Sequence, residues 1–308
     1  QADSIVSIDI SNPSNLSELD SLSNANLDFA QSIALDLTNQ VAYVVSGTAD
    51  SITSIDISDP NSLTELDSFS NANLDGARDI ALDLTNEVAY VVSGIIPGII
   101  TSIDISNPSN LTELDSLSDS NIRIPRSIAL DLTNQVAYVT ASNSDSIVSI
   151  DISNPSNLSK LDSLSNANLD EAYSIALDFT NEVAYVTGYL ADSIVSIDIS
   201  NPNSLTELDS LSSANLNGPV GIALDLTNEV AYVVSILADS ITSIDISNPN
   251  SLTELDSLSS ANLDDARGIA LDPTNQVAYV ASSTADSITS IDISSPSYLT
   301  ELGSLTNV

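Results

Sequence analysis

The sequence contains no cysteine, histidine, methionine or tryptophan. Each absence removes chemistry. Without cysteine there is no disulfide and no thiolate, and the redox compartment leaves no trace. Without histidine as well, Ser-His-Asp and Cys-His nucleophiles are impossible, and the usual zinc sites cannot be built. Three phenylalanines and no tryptophan leave little for a sugar-stacking lectin surface. Basic residues number 5 against 43 acids, a net charge of −38. Such a surface repels nucleic acid and anionic lipid, which are bound through Lys and Arg. It favours solubility but imposes self-repulsion that cations, Ca²⁺ or salt, would relieve. No segment approaches the ~20 apolar residues of a membrane helix; the stretch from Val88 to Ile100 is broken by Ser93, Gly94, Pro97 and Gly98. Neither a nucleic-acid partner nor membrane insertion is expected. The chain starts at Gln1; removal of a signal peptide would account for this, as would truncation.

What is present is a repeat. Ser-Ile-Asp-Ile-Ser begins at Ser7, Ser54, Ser102, Ser149, Ser196, Ser243 and Ser290, 47 residues apart with one interval of 48. A second block, Ile33 to Val44, returns at Ile80, Ile128, Ile175, Ile222 and Ile269. A fixed period of this size marks a repeat architecture. Within residues 32–78, alternation of apolar and polar residues predicts strands at 32–37, 41–45, 51–58 and 63–70. Asp36 to Asn39 and Asp59 to Ser62 supply turns, and Pro60 cannot donate to a ladder. Four short strands per unit predict an all-β fold, a β-propeller of four-stranded blades; a β-solenoid is the alternative. The whole of 1–308 reads as a single domain: a half-blade 1–31, then repeats 32–78, 79–126, 127–173, 174–220, 221–267 and 268–308.

The segment from Ala42 to Ser68, AYVVSGTADSITSIDISDPNSLTELDS, resembles the LVIVD repeat, and IALDLTNEVAYV resembles the YVTN-type propellers. The resemblance covers nearly the whole chain and implies a propeller. It implies little about activity, because such families hold both surface proteins and enzymes.

Lettering the strands a to d from the propeller axis outward gives c-d followed by six a-b-c-d units, 26 strands in all. Seven blades need 28 and six need 24. A seven-bladed propeller with an incomplete first blade is expected, and a six-bladed one is the alternative. The half-blade could be a small blade, could be completed by a segment upstream of Gln1, or could pair with a neighbouring subunit. The last would give a head-to-tail filament.

The repeats differ most between strands b and c and just before strand a. The b–c segments carry apolar pairs, Ile95-Ile96, Ile99-Ile100, Tyr189-Leu190 and Ile236-Leu237. These are candidate interaction residues, or pack on their own blades. Before strand a, one register holds Gln31, Arg78, Arg126, Tyr173, Val220 and Arg267. Its three arginines could hold an anion or pair with acids such as Asp75, Asp79 or Asp264. Asn15, Asn110 and Asn157 head Asn-x-Ser/Thr triplets in c–d turns, candidate N-glycosylation sites in a glycosylating secretory route. The Asp of each Ser-Ile-Asp-Ile, within its strand, should be a buried carboxylate with backbone and hydroxyl partners. No cofactor is expected, although Ca²⁺ could bind. Such a site needs six to eight oxygens, and no Asp-x-Asp-x-Asp-Gly loop identifies which residues would supply them.

Near-identical repeats with no unique acid cluster point to a non-enzymatic protein. The expected function is an extracellular or cell-surface structural and interaction propeller, self-associating through its N-terminal hairpin, with a partner protein or glycan. The alternative is a metal-dependent, lactonase-like hydrolase acting at the channel mouth.

Overall fold

The computed structural model describes residues 4–94 and 96–306. Among these, 26 strands form seven sheets. β1 (Ser4–Asp9) and β2 (Ser17–Ser23) make a two-stranded sheet. β3 (Ala30–Asp36), β4 (Val41–Ser46), β5 (Ser51–Asp56) and β6 (Thr64–Ser70) make the first four-stranded blade, each strand hydrogen-bonded to the next in the chain. β7 (Asp79–Asp83), β8 (Val88–Ser93), β9 (Gly98–Asp104) and β10 (Thr112–Asp119) make the second, and β11 (Pro125–Asp131) opens the third. Three more blades follow in the same order. The fold is an all-β propeller with six complete blades and an N-terminal partial one, as the repeat predicts.

Burial follows strand composition. All six residues of β4 are buried, as a β-branched and aromatic strand covered on both faces requires. β6, rich in Ser, Asp and Glu, is the half-exposed outer strand. The a–b turns are constant because one side chain closes them. Asp36 Oδ1 accepts from the Thr38 and Asn39 amides at 3.0 Å each, and Oδ2 accepts from Asn39 Nδ2 at 2.7 Å. Asp83, Asp131, Asp178 and Asp225 repeat the arrangement.

The repeated Ser-Ile-Asp-Ile aspartates are not buried within a strand. They end strand c at the surface. Asp56 Oδ1 accepts from the Ser58 amide at 2.8 Å, and bonding to Ser58 holds its carboxyl below the ordinary range. The preceding serine does the buried work: Ser54 Oγ donates to Pro108 O at 2.5 Å, one blade further on.

Two further bonds repeat between blades. Asp67 Oδ2 accepts from the Leu111 amide at 2.8 Å. Glu65 accepts from Asn24 Nδ2 at 2.8 Å and Asn26 Nδ2 at 2.9 Å.

The chain divides into two compact units, Gln1–Ile8 with Glu18–Ser163, and Asp9–Ser17 with Leu164–Val308. The N-terminal hairpin uses the standard bonds in each. In the first unit Ser7 Oγ donates to Pro60 O at 2.6 Å, and the Leu63 amide donates to Asp20 Oδ2 at 2.8 Å. In the second, Ser290 Oγ donates to Pro13 O. The leftover hairpin is thus engaged within its own chain as the outer half of a blade. Among the described residues the partial sheet has no inner strands, and in the first unit Ile33 and Leu35 of β3 are 47% and 49% exposed, against 6% for Ile80.

Candidate active site at the inner-strand entrances

The segment entering each inner strand bends at a left-handed residue: Phe29, Gly76, Ile124, Glu171, Gly218 and Asp265. Strand pairing then slips by a bulge at Gln31, Arg126, Val220 and Arg267. Bulges re-aim side chains and are frequent beside active sites. The register that the sequence singles out is therefore set out of the ladder by the backbone itself.

In the first unit, Arg78 is half-buried, and its amide donates to Val92 O at 2.9 Å. Arg126 Nε donates to Ser142 Oγ at 3.2 Å, and Ser142 Oγ donates to Ile124 O at 3.2 Å. Arg123 lies in the same entry segment. Its Nε is buried without a hydrogen-bond partner, and among the described residues no carboxylate comes within ion-pair distance of it.

Asp79 follows Arg78. Its Oδ1 accepts from Ser32 Oγ (2.6 Å) and the Ile80 amide (3.0 Å); its Oδ2 accepts from Ser127 Oγ (2.8 Å) and the Ile128 amide (2.8 Å). Burial pushes its pKa up, against the pull of those four bonds. As a residue Asp79 retains intermediate exposure. The carboxylate is enclosed by its four donors while part of the residue reaches solvent.

In the second unit, Arg267 is paired with Asp265. Nη2 and Nε lie 3.0 and 3.2 Å from the same oxygen, Oδ2. The other oxygen, Oδ1, is buried with no hydrogen-bond partner. The guanidinium side is 54% exposed and the carboxylate side 17%. Arg267 thus pairs with an acid, though with Asp265 rather than Asp264. Nearby, the Tyr173 and Tyr189 rings stack tilted at 6.2 Å.

The apolar pairs separate. Ile95 lies outside the described residues. Ile100 is core and Ile99 half-buried, both in β9. Tyr189 and Ile236 pack on the core of the second unit. Ile96, Leu190 and Leu237, each 56% exposed, are the outward members. Asn15, Asn110 and Asn157 are exposed in c–d turns, each amide closing a turn onto the residue three before it. No three His, Cys, Asp or Glu side chains among the described residues come together as a metal-holding group.

Sequence reasoning named Asp79 only as an ion-pair partner for the arginines and missed Arg123 and Asp265. The signal was one column away from the arginine register. Ser32, Asp79, Ser127, Ser174, Gly221 and Gly268 are equivalent, and only one is ionisable.

Residues 97–306 match the profile of the family described as Lactonase, 7-bladed beta-propeller, and residues 1–23 match the LVIVD repeat. The LVIVD resemblance is therefore confined to the first 23 residues. No curated protein matches the chain in sequence. Among solved structures, a Lactobacillus plantarum protein is 18% identical with a TM-score of 0.81, covering 96% of this chain and 89% of its own. The periplasmic gluconolactonase of Pseudomonas aeruginosa is 12% identical with a TM-score of 0.77, covering 96% and 88%. A Bacteroides fragilis protein provisionally called a 6-phosphogluconolactonase is 11% identical with a TM-score of 0.78, covering 95% and 87%. At these identities the likeness is one of fold.

The family match overturns the expectation of a non-enzymatic, extracellular structural protein and filament subunit. The physical error was to treat the repeats as equivalent. They are equivalent in their turns, but at the strand-a entrances Asp79, Arg123 and the Asp265–Arg267 pair break the symmetry. The hairpin that suggested a filament makes its bonds within the chain.

Proposed function

We propose that this chain, which belongs to the lactonase, 7-bladed β-propeller family, is a hydrolase that opens a lactone ring. The match over residues 97–306 carries the reading. In the reaction water adds to the ring carbonyl, the acyl C–O bond breaks, and the ring oxygen leaves as a hydroxyl. The product is a hydroxy acid that ionises at neutral pH. Such a site needs a base for the water and a cation or donor for the carbonyl oxygen as it becomes negative. Asp265 and Arg267, both inside the matched stretch, supply this pair. The guanidinium orients the Asp265 carboxylate through Oδ2, and the 17% of that side chain that reaches solvent is where it takes a proton from water. The exposed edge of Arg267 is available to the carbonyl oxygen.

The names of two structural neighbours, gluconolactonase and 6-phosphogluconolactonase, support a sugar lactone as substrate. That one of them is periplasmic supports a location outside the cytoplasm; no helix among the described residues is long and apolar enough to cross a membrane.

The test is acid release from a panel of five- and six-membered sugar lactones, followed by pH-stat against the spontaneous rate. Saturable hydrolysis is expected. Asp265→Asn, which keeps the shape but removes the base, should lower kcat by about 10²-fold or more. A wild-type rate equal to the spontaneous one across the panel would refute the proposal.

A further inference from the structure

The partial sheet leaves a place in the first unit that the complete blades fill. Among the described residues β1 is paired with β2 alone, whereas β5, its counterpart in the first complete blade, is paired with both β4 and β6. β5 is buried over five of its six residues and β1 over none. The edge of β1 from Ser4 to Ile8 therefore keeps a row of ladder donors and acceptors with no strand against it. The apolar core beside it stops at the same point. Between the first and second blades, Val41, Tyr43 and Val45 of β4 share one core with Ile80, Ala89 and Val91 of the next blade, and Leu82 lies against it. Between the partial sheet and the first blade, the corresponding core holds Ala42, Val44, Ile55 and Leu63, with Ile5 and Leu22 packed on it. Ile33 and Leu35, the counterparts of Ile80 and Leu82, have dropped out of that core and stand half exposed.

The blades that have the missing element define its chemistry. It is strand b, which lies antiparallel on strand c with Tyr43 opposite Ser54 and Val45 opposite Ile52. Its Val-x-Tyr-x-Val side faces the next blade, and Tyr43 is among the largest fully buried side chains. A second copy of this chain cannot supply such a strand without unfolding a blade. β4, β8, Val136–Ala141, Val183–Gly188 and Val230–Ser235 are buried along their whole length, and Val277–Ser282 is paired on both edges. We propose that the β1 edge and the Ile33–Leu35 face form a docking site for an extended segment of a different protein. The segment adds as a strand to β1 and presents β-branched and aromatic residues, in the alternation Val-x-Tyr-x-Val, to Ile33 and Leu35. Main-chain bonds to β1 supply affinity, and the apolar face fixes the register. With a net charge of −38 on this chain, the flanks of the segment are neutral or basic. The site is independent of the hydrolase reading.

The test uses the full chain and a fluorescent synthetic peptide with the sequence of residues 32–46, which carries strands a and b. Saturable one-to-one binding is expected, with a Kd of about 10–100 μM. In hydrogen exchange the amides from Ser4 to Ile8 should slow by about tenfold or more as the peptide saturates. A peptide with serine at the positions of Val41, Tyr43 and Val45 should bind about tenfold or more weakly. Ile33→Asp combined with Leu35→Asp changes two exposed side chains, so it should weaken the parent peptide by about tenfold or more while leaving Tm little changed. No binding up to about 1 mM peptide, equal binding of the serine peptide, or slowed exchange away from β1 overturns the proposal. So does slow exchange from Ser4 to Ile8 before peptide is added: if it depends on protein concentration, a second copy covers the edge, and if it does not, the chain covers the edge itself.

Discussion

The chain's one lysine gives a stringent test of the bonds between blades. The partner columns of the outer bond are Asn24, Asn71, Asp119, Asn166, Ser213 and Ser260 on one blade, and Glu65, Glu113, Lys160, Glu207, Glu254 and Glu301 on the next. Where the first member becomes acidic, the second becomes basic. Lys160 Nζ lies 3.7 Å from Asp119 Oδ1, with side chains 25% and 27% exposed. A pair this exposed contributes about 1 kcal/mol at most. Lys160→Glu removes that and sets two carboxylates together. At an effective dielectric of about 20 their repulsion at 4 Å approaches 4 kcal/mol, and side-chain movement should reduce the net loss to about 2–3 kcal/mol. For a chain of this size that lowers Tm by about 3–5 °C. Adding Asp119→Asn rebuilds the Asn–Glu bond made at Asn166 and Glu207, where Nδ2 lies 2.7 Å from Oε2. Asn121, now bonded to Ser163 Oγ at 2.9 Å, is in the column of Asn168, which gives the second bond to Glu207. The double variant should return to within about 0.5 kcal/mol of wild type, a coupling of about 2 kcal/mol by double-mutant cycle. Calorimetric Tm values for the four proteins decide it. If the double variant melts no higher than Lys160→Glu, the charge swap is not a compensated bond.

Two more outcomes follow from buried polar groups. The Tyr43 and Tyr232 hydroxyls are buried without partners, and burial, with Asp36 and Asp225 adding to it, pushes each pKa up to about 12. Their stabilising effect is complete below the unfolded value of 10 and is lost as pH rises through about 12. Alkaline unfolding, followed by tyrosinate absorbance, should fall in that window and move upward in Tyr43→Phe with Tyr232→Phe; an unmoved transition would show that these hydroxyls do not drive it. Asp67→Ala leaves the Leu111 amide without its 2.8 Å acceptor, which should cost about 1–3 kcal/mol. The same substitution at Asp256, which accepts from the Leu299 amide, should cost as much, and unequal Tm losses at the two sites would show that the bond is not a repeating unit of stability.

Much of the fold was legible because apolar alternation and turn chemistry are local. Val41 to Val45 could only be a two-faced buried strand, and Asp36 to Asn39 closes its turn with its own side chains. The b–c segment of the second blade was less legible. Gly94 and Gly98 hide where β8 stops and β9 starts, so Ile99 and Ile100 resembled loop residues when one belongs to the core. The position of Asp56 was misjudged for a related reason: period two places a residue on a face but does not say where the strand ends. The hairpin is a third case. Its two strands were read correctly, but what holds them is a hydroxyl-to-carbonyl bond to a proline 53 residues away, Ser7 to Pro60. No pattern in either segment announces such a bond. The candidate site was the least legible part, because it consists of exceptions to the repeat, and averaging over repeats removes exceptions.

The backbone explains why the exceptions gather at the strand-a entrances. Every entry segment makes the same left-handed bend, whether the residue there is glycine, as at Gly76 and Gly218, or carries a side chain, as at Ile124, Glu171 and Asp265. In several blades the bend is held from outside by an aspartate of the b–c loop. Asp50 accepts from the Gly76 amide at 3.0 Å, Asp192 from Gly218 at 2.9 Å, and Asp239 from Asp265 at 3.2 Å. Because a neighbouring loop fixes the main chain, the side chain at the bend is released from a structural role, whereas Ala77 and Ala266, next after it, are buried in the core. Substitution there changes what the entrance presents without changing the blade, whereas the a–b turn, whose own Asp and Asn close it, tolerates no such freedom. Asp265 occupies the bend itself in the second unit with Arg267 two residues on; in the first, Arg78 follows Gly76 at the same spacing and Asp79 comes next. Asp265 is the most demanding of them, since a non-glycine residue at φ 59° is strained relative to glycine. Glycine serves at the same bend in two other blades and Phe29, Ile124 and Glu171 in three, so the turn itself does not call for an aspartate.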